Sequence, residues 1–199
     1  MDISIIDKIE EKREINLDWF YHSTYYDKIK YASILTEGIK CNELLHNSGV
    51  GRYNGKYYVS LSKITIPDNV CYLYYSTDSP SLIISGIEPI KCESIDEYHE
   101  YINTKDPRRI GNFIDEYQYY YLIQNTYIKG IVYNLLECFI KKYNKFDKQK
   151  IKNLLELIDL LEELNINIPI YDYSRRDKIL AHEINKEKLK YYSKEFYNI

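Results

Sequence analysis

His22 is the residue of this chain best placed to bind a ligand through hydrogen bonds. It lies in residues 19–40, WFYHSTYYDKIKYASILTEGIK, where Ser23 and Thr24 follow it directly. The aromatic residues before His22 predict a short strand. Asp27 and Gly38 predict the start and end of a helix, because aspartate caps free amides and glycine adopts the left-handed conformation without strain. A ligand at the strand exit can reach both the ring and the backbone; the alternative is a hydrogen-bonded loop histidine.

A second candidate group contains carboxylate and amide side chains at the start of a late predicted strand. Because side chains alternate between the two faces of a strand, Glu116 and Gln118 share one face and Asp115 lies on the other. A fixed carboxylate can stabilise positive charge that develops during a reaction. The alternative is a polar strand end that faces water.

Arginines and tyrosines supply weaker signals. Arg52, Arg108 and Arg109 lie in predicted loops and could grip a phosphate group bidentately, although solvated loop arginines look the same in sequence. The chain has 24 tyrosines against 5 phenylalanines and one tryptophan. Such a bias is typical of an AT-rich genome, so a tyrosine motif carries little weight by itself.

Bulk composition favours an ordinary folded domain. The chain has 199 residues, of which 45% are hydrophobic and 29% charged, and a net charge of −3. There is no overall basic field to hold nucleic acid. The four cysteines are widely spaced and form no CxxC pair, so they predict neither a zinc site nor a disulfide framework. No apolar run approaches the ~20 residues of a membrane span, and the charged N-terminus does not predict a signal peptide.

The elements that must position these residues follow from periodicity and turn signals. Ile3, Ile6 and Ile9 predict an amphipathic helix over residues 1–18. Pro169 predicts that the strand at 166–171 lies at a sheet edge, because proline cannot donate to a ladder. The other predicted elements are a strand at 57–62, a buried strand at 81–90 with Gly86 as a bulge, two strands within 113–132 separated by a Gln-Asn-Thr turn, helices at 135–143 and 148–164, and a C-terminal helix from 184.

The order of four segments resembles the ADP-ribosyltransferase superfamily, in the branch whose triad is written His-Tyr-Glu. The segments are FYHST at 20–24, ILTEGI at 34–39, GKYYVSLSK at 55–63 and DEYQYYYLIQNTYIKGIV at 115–132. The resemblance implies an α+β domain with a split, mostly antiparallel β-sheet core and flanking helices. It implies one domain over 1–199, with an N-terminal helix at 1–18, an NAD-binding core at 19–133, and a helical insert, final strand and C-terminal helix at 134–199.

The resemblance also implies a role for individual residues. His22 matches the histidine that bonds the adenosine ribose of NAD, with Thr24 beside it and the backbone near Ser23 holding the nicotinamide amide. Glu116 matches the catalytic glutamate, which binds the ribose hydroxyl. The further expected contacts are Tyr57 of the tyrosine motif, Ser62 before the following lysine, Tyr72 or Tyr75 on the nicotinamide ring, and Arg52 on the pyrophosphate.

The resemblance implies that NAD is the substrate and that no metal is required. A macromolecule accepts the ADP-ribose, and the acidic net charge of the chain favours a protein acceptor over nucleic acid. Ile114 stands where relatives that modify arginine, asparagine or cysteine hold Glu or Gln, so the acceptor residue is not inferred. Alternatives are plain NAD hydrolysis, an inactive binding module if Gln118 occupies the catalytic position, and an interaction protein docking through 134–199. The resemblance implies a toxin or effector of a bacterium or phage. Such a protein acts in the cytoplasm or is delivered into a host cytosol by a dedicated secretion system.

Overall fold

The computed structural model describes residues 4–14, 19–46, 57–64, 80–91, 114–133, 135, 141–142, 145–146, 148–172 and 180–197. The helices are α1 (Ser4–Ile9), α2 (Lys28–Glu37), α3 (Lys148–Glu163) and α4 (Lys186–Tyr197). The strands are β1 (Glu10–Glu14), β2 (Phe20–Ser23), β3 (Ile39–Lys40), β4 (Tyr58–Ile64), β5 (Ser81–Ile84), β6 (Ile90–Lys91), β7 (Ile114–Tyr120), β8 (Leu122–Ile123), β9 (Ile128–Tyr133), β10 (Lys141–Lys142), β11 (Lys145–Phe146), β12 (Ile170–Asp172) and β13 (Leu180–Ile184).

One large sheet organises the described part of the chain. Its strand order is β1-β13-β12-β9-β5-β2-β4-β7-β6, and the neighbours are antiparallel except for the parallel pair β9 and β12. The pairs β3–β8 and β10–β11 are separate small ribbons. This mixture of a mostly antiparallel sheet with helices confirms the expected α+β class.

The main hydrophobic core lies between one face of this sheet and the helices. Apolar residues of α3 recur at helical spacing, and the sheet and the neighbouring helices cover them, as the sequence predicted for residues 148–164. Alternate residues of the strands, such as Phe20, Leu61 and Leu82, meet them from the sheet. No helix of the described residues is long and apolar enough to span a membrane.

The opposite face of the sheet changes character along the strand order. On β2, β5, β9 and β12 it carries a second apolar cluster made of Tyr21, Ile83, Val132 and Tyr171, with Trp19 against it. On β4 the equivalent positions are Ser60 and Ser62, because Val59 and Leu61 point into the main core. The polar residues of β4 and β7 lie on this face, whereas His22, two positions after Phe20 and in register with Leu82, lies on the side of the main core.

Helix α2 is fixed at both ends, as its capping residues predicted. The Asp27 carboxylate accepts the Lys30 amide at 2.8 Å. At the other end Asn125 donates to the carbonyls of Leu35 and Thr36, at 3.2 and 2.9 Å. Gly38 has φ 96° and ψ 178°, so its φ is positive as expected while its ψ is extended rather than left-handed helical.

Several predicted elements need correction. The N-terminal helix ends at Ile9, and Glu10–Glu14 forms β1 instead, because β13 supplies a partner and the Glu10 carboxylate lies buried 3.3 Å from His182 Nδ1. The predicted helix 135–143 does not extend over Lys141–Lys142, which pairs with β11. Strand β12 is interior rather than at an edge. Pro169 precedes the strand, and the Pro169 carbonyl accepts a hydrogen bond from the Ile131 amide. The irregularity of β5 lies between Ile83 and Ile84, not at Gly86.

Gly38→Ala is expected to lower the free energy of unfolding by about 3 kcal/mol or more. A Cβ at Gly38 would overlap the carbonyl oxygen of Ile123, and φ there is one that side chains rarely adopt. Gly86→Ala is the matched control, because φ is also positive (80°) but the added Cβ would meet only the Tyr127 ring at 3.6 Å. A loss of about 1–2 kcal/mol is expected for this control. Urea unfolding measures both, and equal losses would contradict a steric role for the Ile123 contact.

Candidate functional site

The three segments that carry the candidate residues occupy neighbouring strands. β2 pairs with β4, and β4 pairs with β7 over seven consecutive positions, from Tyr58↔Tyr120 to Ile64↔Ile114. Tyr21 lies opposite Ser62, and Ser62 lies opposite Glu116. Because paired strands lie about 4.8 Å apart, the backbones of β2 and β7 are separated by about 10 Å. Segments far apart in the chain therefore form one continuous region of the sheet.

The ladder between β2 and β4 stops immediately before His22. It contains only the pairs Phe20↔Lys63 and Tyr21↔Ser62, so the strands part at the next residue. The His22 ring bridges the resulting seam, with Nδ1 2.9 Å from the Ser60 carbonyl oxygen. A carbonyl only accepts hydrogen bonds, so Nδ1 carries the proton and Nε2 presents a lone pair in the neutral ring. This geometry provides a hydrogen-bond acceptor at the strand exit.

The neutral form of His22 is favoured by its surroundings. Burial lowers the pKa of the imidazole below its ordinary value of 6.5, and the positive charge of Lys30 lowers it further, while the Ser60 hydrogen bond opposes both. The ring is half-buried. At neutral pH, His22 is therefore suited to accepting a hydrogen bond rather than to binding an anion.

Ser23 and Thr24 are held on the β5 side of the strand exit. The hydroxyls of Ser23 and Ser81 lie 2.7 Å apart. The Thr24 amide donates to the Pro80 carbonyl at 3.3 Å, and the buried Tyr31 hydroxyl donates to the carbonyls of both residues, at 3.3 and 3.2 Å. Burial raises the pKa of Tyr31, so it stays protonated as a donor. The backbone beside His22 is thus rigidly positioned.

Four tyrosines cluster where β4 begins and β7 ends. The rings of Tyr58 and Tyr120 pack edge-on across the strands with centroids 5.3 Å apart, and Tyr120 packs edge-on against Tyr121 at 4.2 Å. The ring centroids of Tyr57 and Tyr121 lie 6.0 Å apart. The backbone carbonyl of Tyr57 accepts a hydrogen bond from the Tyr121 amide at 2.8 Å. Tyr120 is 56% exposed, and Tyr57 is 37% exposed. A hydrogen bond with Tyr120 raises the pKa of Tyr121 to about 12. The cluster offers aromatic faces at the same end of the sheet as His22.

The polar residues of β4 and β7 share the face opposite the main core. Ser62 is in register with Glu116, while Ser60 is in register with Gln118, which also lies opposite Ile90 of β6. Asp115 is in register with Lys63 on the other face. This alternation agrees with the sequence-based expectation for Glu116 and Gln118. Gln118 is half-buried, whereas the side chains of Asp115 and Glu116 lie outside the described part of the structure.

Beside the residues expected from the sequence, the structure brings Lys30 and Tyr120 to this region. Arg52, Tyr72 and Tyr75 lie outside the described residues. Lys30 and Tyr120 were not singled out by sequence, because a helix lysine and one more tyrosine carry no local signal in this chain. Among the described residues no group of three or more His, Cys, Asp or Glu side chains is arranged to hold a metal ion.

His22 is expected to titrate below pH 6.5 and to carry its proton on Nδ1. The unfolded chain then takes up this proton at higher pH than the folded chain, so the contribution of His22 to stability is full above pH 6.5 and falls as the pH is lowered. Lys30→Gln should raise the His22 pKa. Lys28→Gln is the control, since Lys28 pairs with Glu163 at 3.1 Å. Nitrogen-15 NMR of the histidine rings reports both properties; a proton on Nε2, or equal shifts in the two variants, would contradict the geometry.

Comparison of the chain with protein-family models, with curated proteins and with solved structures finds no match. The description of the fold therefore rests on the strands and helices of this structure alone. His22 and the polar residues of β4 and β7 lie on neighbouring strands, with His22 on the core side of the sheet and the polar residues on the opposite face.

Proposed function

We propose that this protein is an NAD-dependent ADP-ribosyltransferase that transfers ADP-ribose from NAD to a protein target and releases nicotinamide. The observation that carries the proposal is the adjacency of β2, β4 and β7. The three stretches that resemble the His-Tyr-Glu branch come from chain positions 20–24, 55–63 and 115–132, yet they lie side by side in the sheet. Adjacent strands are the structural context that these short motifs require if they are to act on one ligand.

His22 is proposed to orient a ribose of NAD. Its Nε2 accepts a hydrogen bond from a ribose hydroxyl, while the Ser60 carbonyl holds the other ring nitrogen. The lowered pKa keeps this acceptor available at neutral pH. Ser23 and Thr24, pinned through Ser81 and Pro80, provide a rigid backbone for the amide group of nicotinamide.

Glu116 is proposed to act on the second ribose. Cleavage of the bond between nicotinamide and ribose develops positive, oxocarbenium-like charge on the sugar, and a carboxylate in hydrogen-bond reach stabilises that charge more than the ground state. The register opposite Ser62 supports the assignment, since a serine hydroxyl on the same face can fix the carboxylate. Alternation places His22 and Glu116 on opposite faces of the sheet, so a ligand that contacts both residues must pass through the gap where the ladder between β2 and β4 ends.

The tyrosine cluster supplies the aromatic component. A planar cationic ring such as the nicotinamide of NAD is attracted to aromatic faces. Tyr57, named from the sequence, lies beside Tyr58, Tyr120 and Tyr121 at the same end of the sheet as His22. These rings are proposed to contact the nicotinamide ring alongside Tyr72 or Tyr75.

Glu116→Gln is expected to lower the rate of nicotinamide release from NAD by about 100- to 1,000-fold, because the amide keeps the shape but loses the charge. Asp115→Asn is the matched control: it removes the same charge from the neighbouring residue on the opposite face and should retain most activity. Release is measured with and without cell lysate. Dependence on lysate identifies a transferase, whereas release that lysate does not stimulate identifies the NAD hydrolase alternative.

Gln118→Ala distinguishes the other assignment of the catalytic position. If Gln118 is the critical residue and Glu116→Gln behaves like wild type, the register assignment is wrong. If wild type neither turns over NAD in either condition nor binds it in calorimetry, the proposed function is wrong, and the interaction-protein alternative through 134–199 takes its place.

A further inference from the structure

Lys30 brings a positive charge to the strand exit at His22. Its Nζ donates to the Thr24 hydroxyl at 2.8 Å and lies 3.3 Å from the centroid of the Tyr25 ring. Lys30 belongs to the first turn of α2, where its own amide is bound by the capping carboxylate of Asp27. An ammonium has three N–H donors, so a hydroxyl and an aromatic face leave it capacity for a ligand.

The contacts of Lys30 differ from those of Lys28 and Lys190, which form ion pairs. Lys28, two residues earlier, pairs with Glu163 at 3.1 Å, and Lys190 pairs with Asp159 at 3.0 Å and with Glu162 at 2.9 Å. Among the residues that the structure describes, no carboxylate forms an ion pair with Lys30. Its ammonium is held by a hydroxyl and an aromatic ring rather than by an ion pair, with the Asp27 charge acting on it from the helix cap.

The environment of Lys30 makes this arrangement costly. The side chain is half-buried, and burial lowers the pKa of its ammonium, although the charge of Asp27 acts in the opposite direction. A partly desolvated cation with no anionic partner is unfavourable. An anion that bound beside Thr24 would recover that free energy.

Lys30 also lies close enough to His22 to affect it electrostatically, since its charge is one cause of the lowered pKa of the imidazole. In NAD the ribose that His22 is proposed to bind carries the pyrophosphate on its own 5′ carbon. A cation beside this histidine is therefore within reach of that group. Lysine is a common phosphate ligand that acts as a point charge.

We propose that Lys30, positioned by the Thr24 hydroxyl and the Tyr25 ring, binds the pyrophosphate of NAD, in addition to the contact expected from Arg52. This assignment rests on the proposed function and adds a specificity determinant to it: the site selects a ligand with phosphate groups over a plain nucleoside. Tyr25 is 65% exposed, so the ammonium approaches the ligand from the open rim of the site rather than from the core.

The test compares the affinities of wild type, Lys30→Gln, Lys30→Arg and Lys28→Gln for four probes by calorimetry: NAD, ADP-ribose, adenosine and inorganic pyrophosphate. Lys30→Gln should lower the affinity for NAD and for ADP-ribose by about 10- to 100-fold, as expected for loss of a charged hydrogen bond. The affinity for adenosine should not change. Lys30→Arg should retain most of the affinity. Lys28→Gln should match wild type with every probe, because Lys28 is already paired with Glu163.

The outcomes separate this inference from the proposed function. The role of Lys30 is overturned, while NAD binding stands, if Lys30→Gln binds NAD as tightly as wild type does. The same holds if Lys30→Gln lowers the affinity for adenosine by the same factor as the affinity for NAD. If wild type binds pyrophosphate in a Lys30-dependent way but does not bind NAD or ADP-ribose, the anion site stands and the NAD assignment falls. If wild type binds none of the phosphate-containing probes, both are overturned.

Discussion

The hydrogen bond between His22 Nδ1 and the Ser60 carbonyl is the contact on which the site depends. A backbone carbonyl inside a sheet needs a donor, and the ladder between β2 and β4 ends one residue too early to supply one. The imidazole takes that place at 2.9 Å. It thereby satisfies Ser60, determines the tautomer of His22, and allows the two strands to part. A seam in the middle of a sheet is the feature that distinguishes this region from an ordinary antiparallel surface.

The one-sided core explains why the seam can be kept open. The four helices of the described residues pack on one face of the sheet and bury the apolar residues of β2, β4 and β5 there. Helix α2 stands directly behind the seam: Tyr31 anchors the backbone of Thr24 and Pro80, and Asn125 ties the far end of the helix to the turn before β9. The strand exit is rigid because these bonds hold it, even though its own ladder to β4 has ended.

The other face of the sheet divides into two parts. Around Tyr21, Ile83 and Val132 it is apolar, whereas β4 and β7 present Ser60, Ser62 and Gln118. The tyrosine rings stand at one end of the polar stripe of β4 and β7, and His22 lies on the core side of the seam beside it. The charge at the rim comes from Lys30, a residue that the helix delivers from the opposite face.

Local features of the chain were readable from sequence because they depend on neighbours in sequence. The Asp27 cap, the apolar stripe of α3 and the turn between β7 and β9 were all predicted, since caps, helical periodicity and turn residues act over a few positions. The pattern EEKRE at 10–14 carries no apolar alternation, so its strand was missed; it forms only because β13 and the buried pair of Glu10 and His182 lie beside it. Pro169 was likewise misjudged, because its residue type does not say which strand its carbonyl will meet.

For the site, the sequence by itself determined the residue types and their order: a histidine at a strand exit, a tyrosine-rich strand with Ser62, and a later strand with Glu116 and Gln118. Only the tertiary structure decided that these strands are neighbours, that Ser62 is in register with Glu116, and that Lys30 lies beside Thr24. The physical reason is that strand pairing and helix packing join residues tens of positions apart. Their free energy depends on partners that no local pattern identifies.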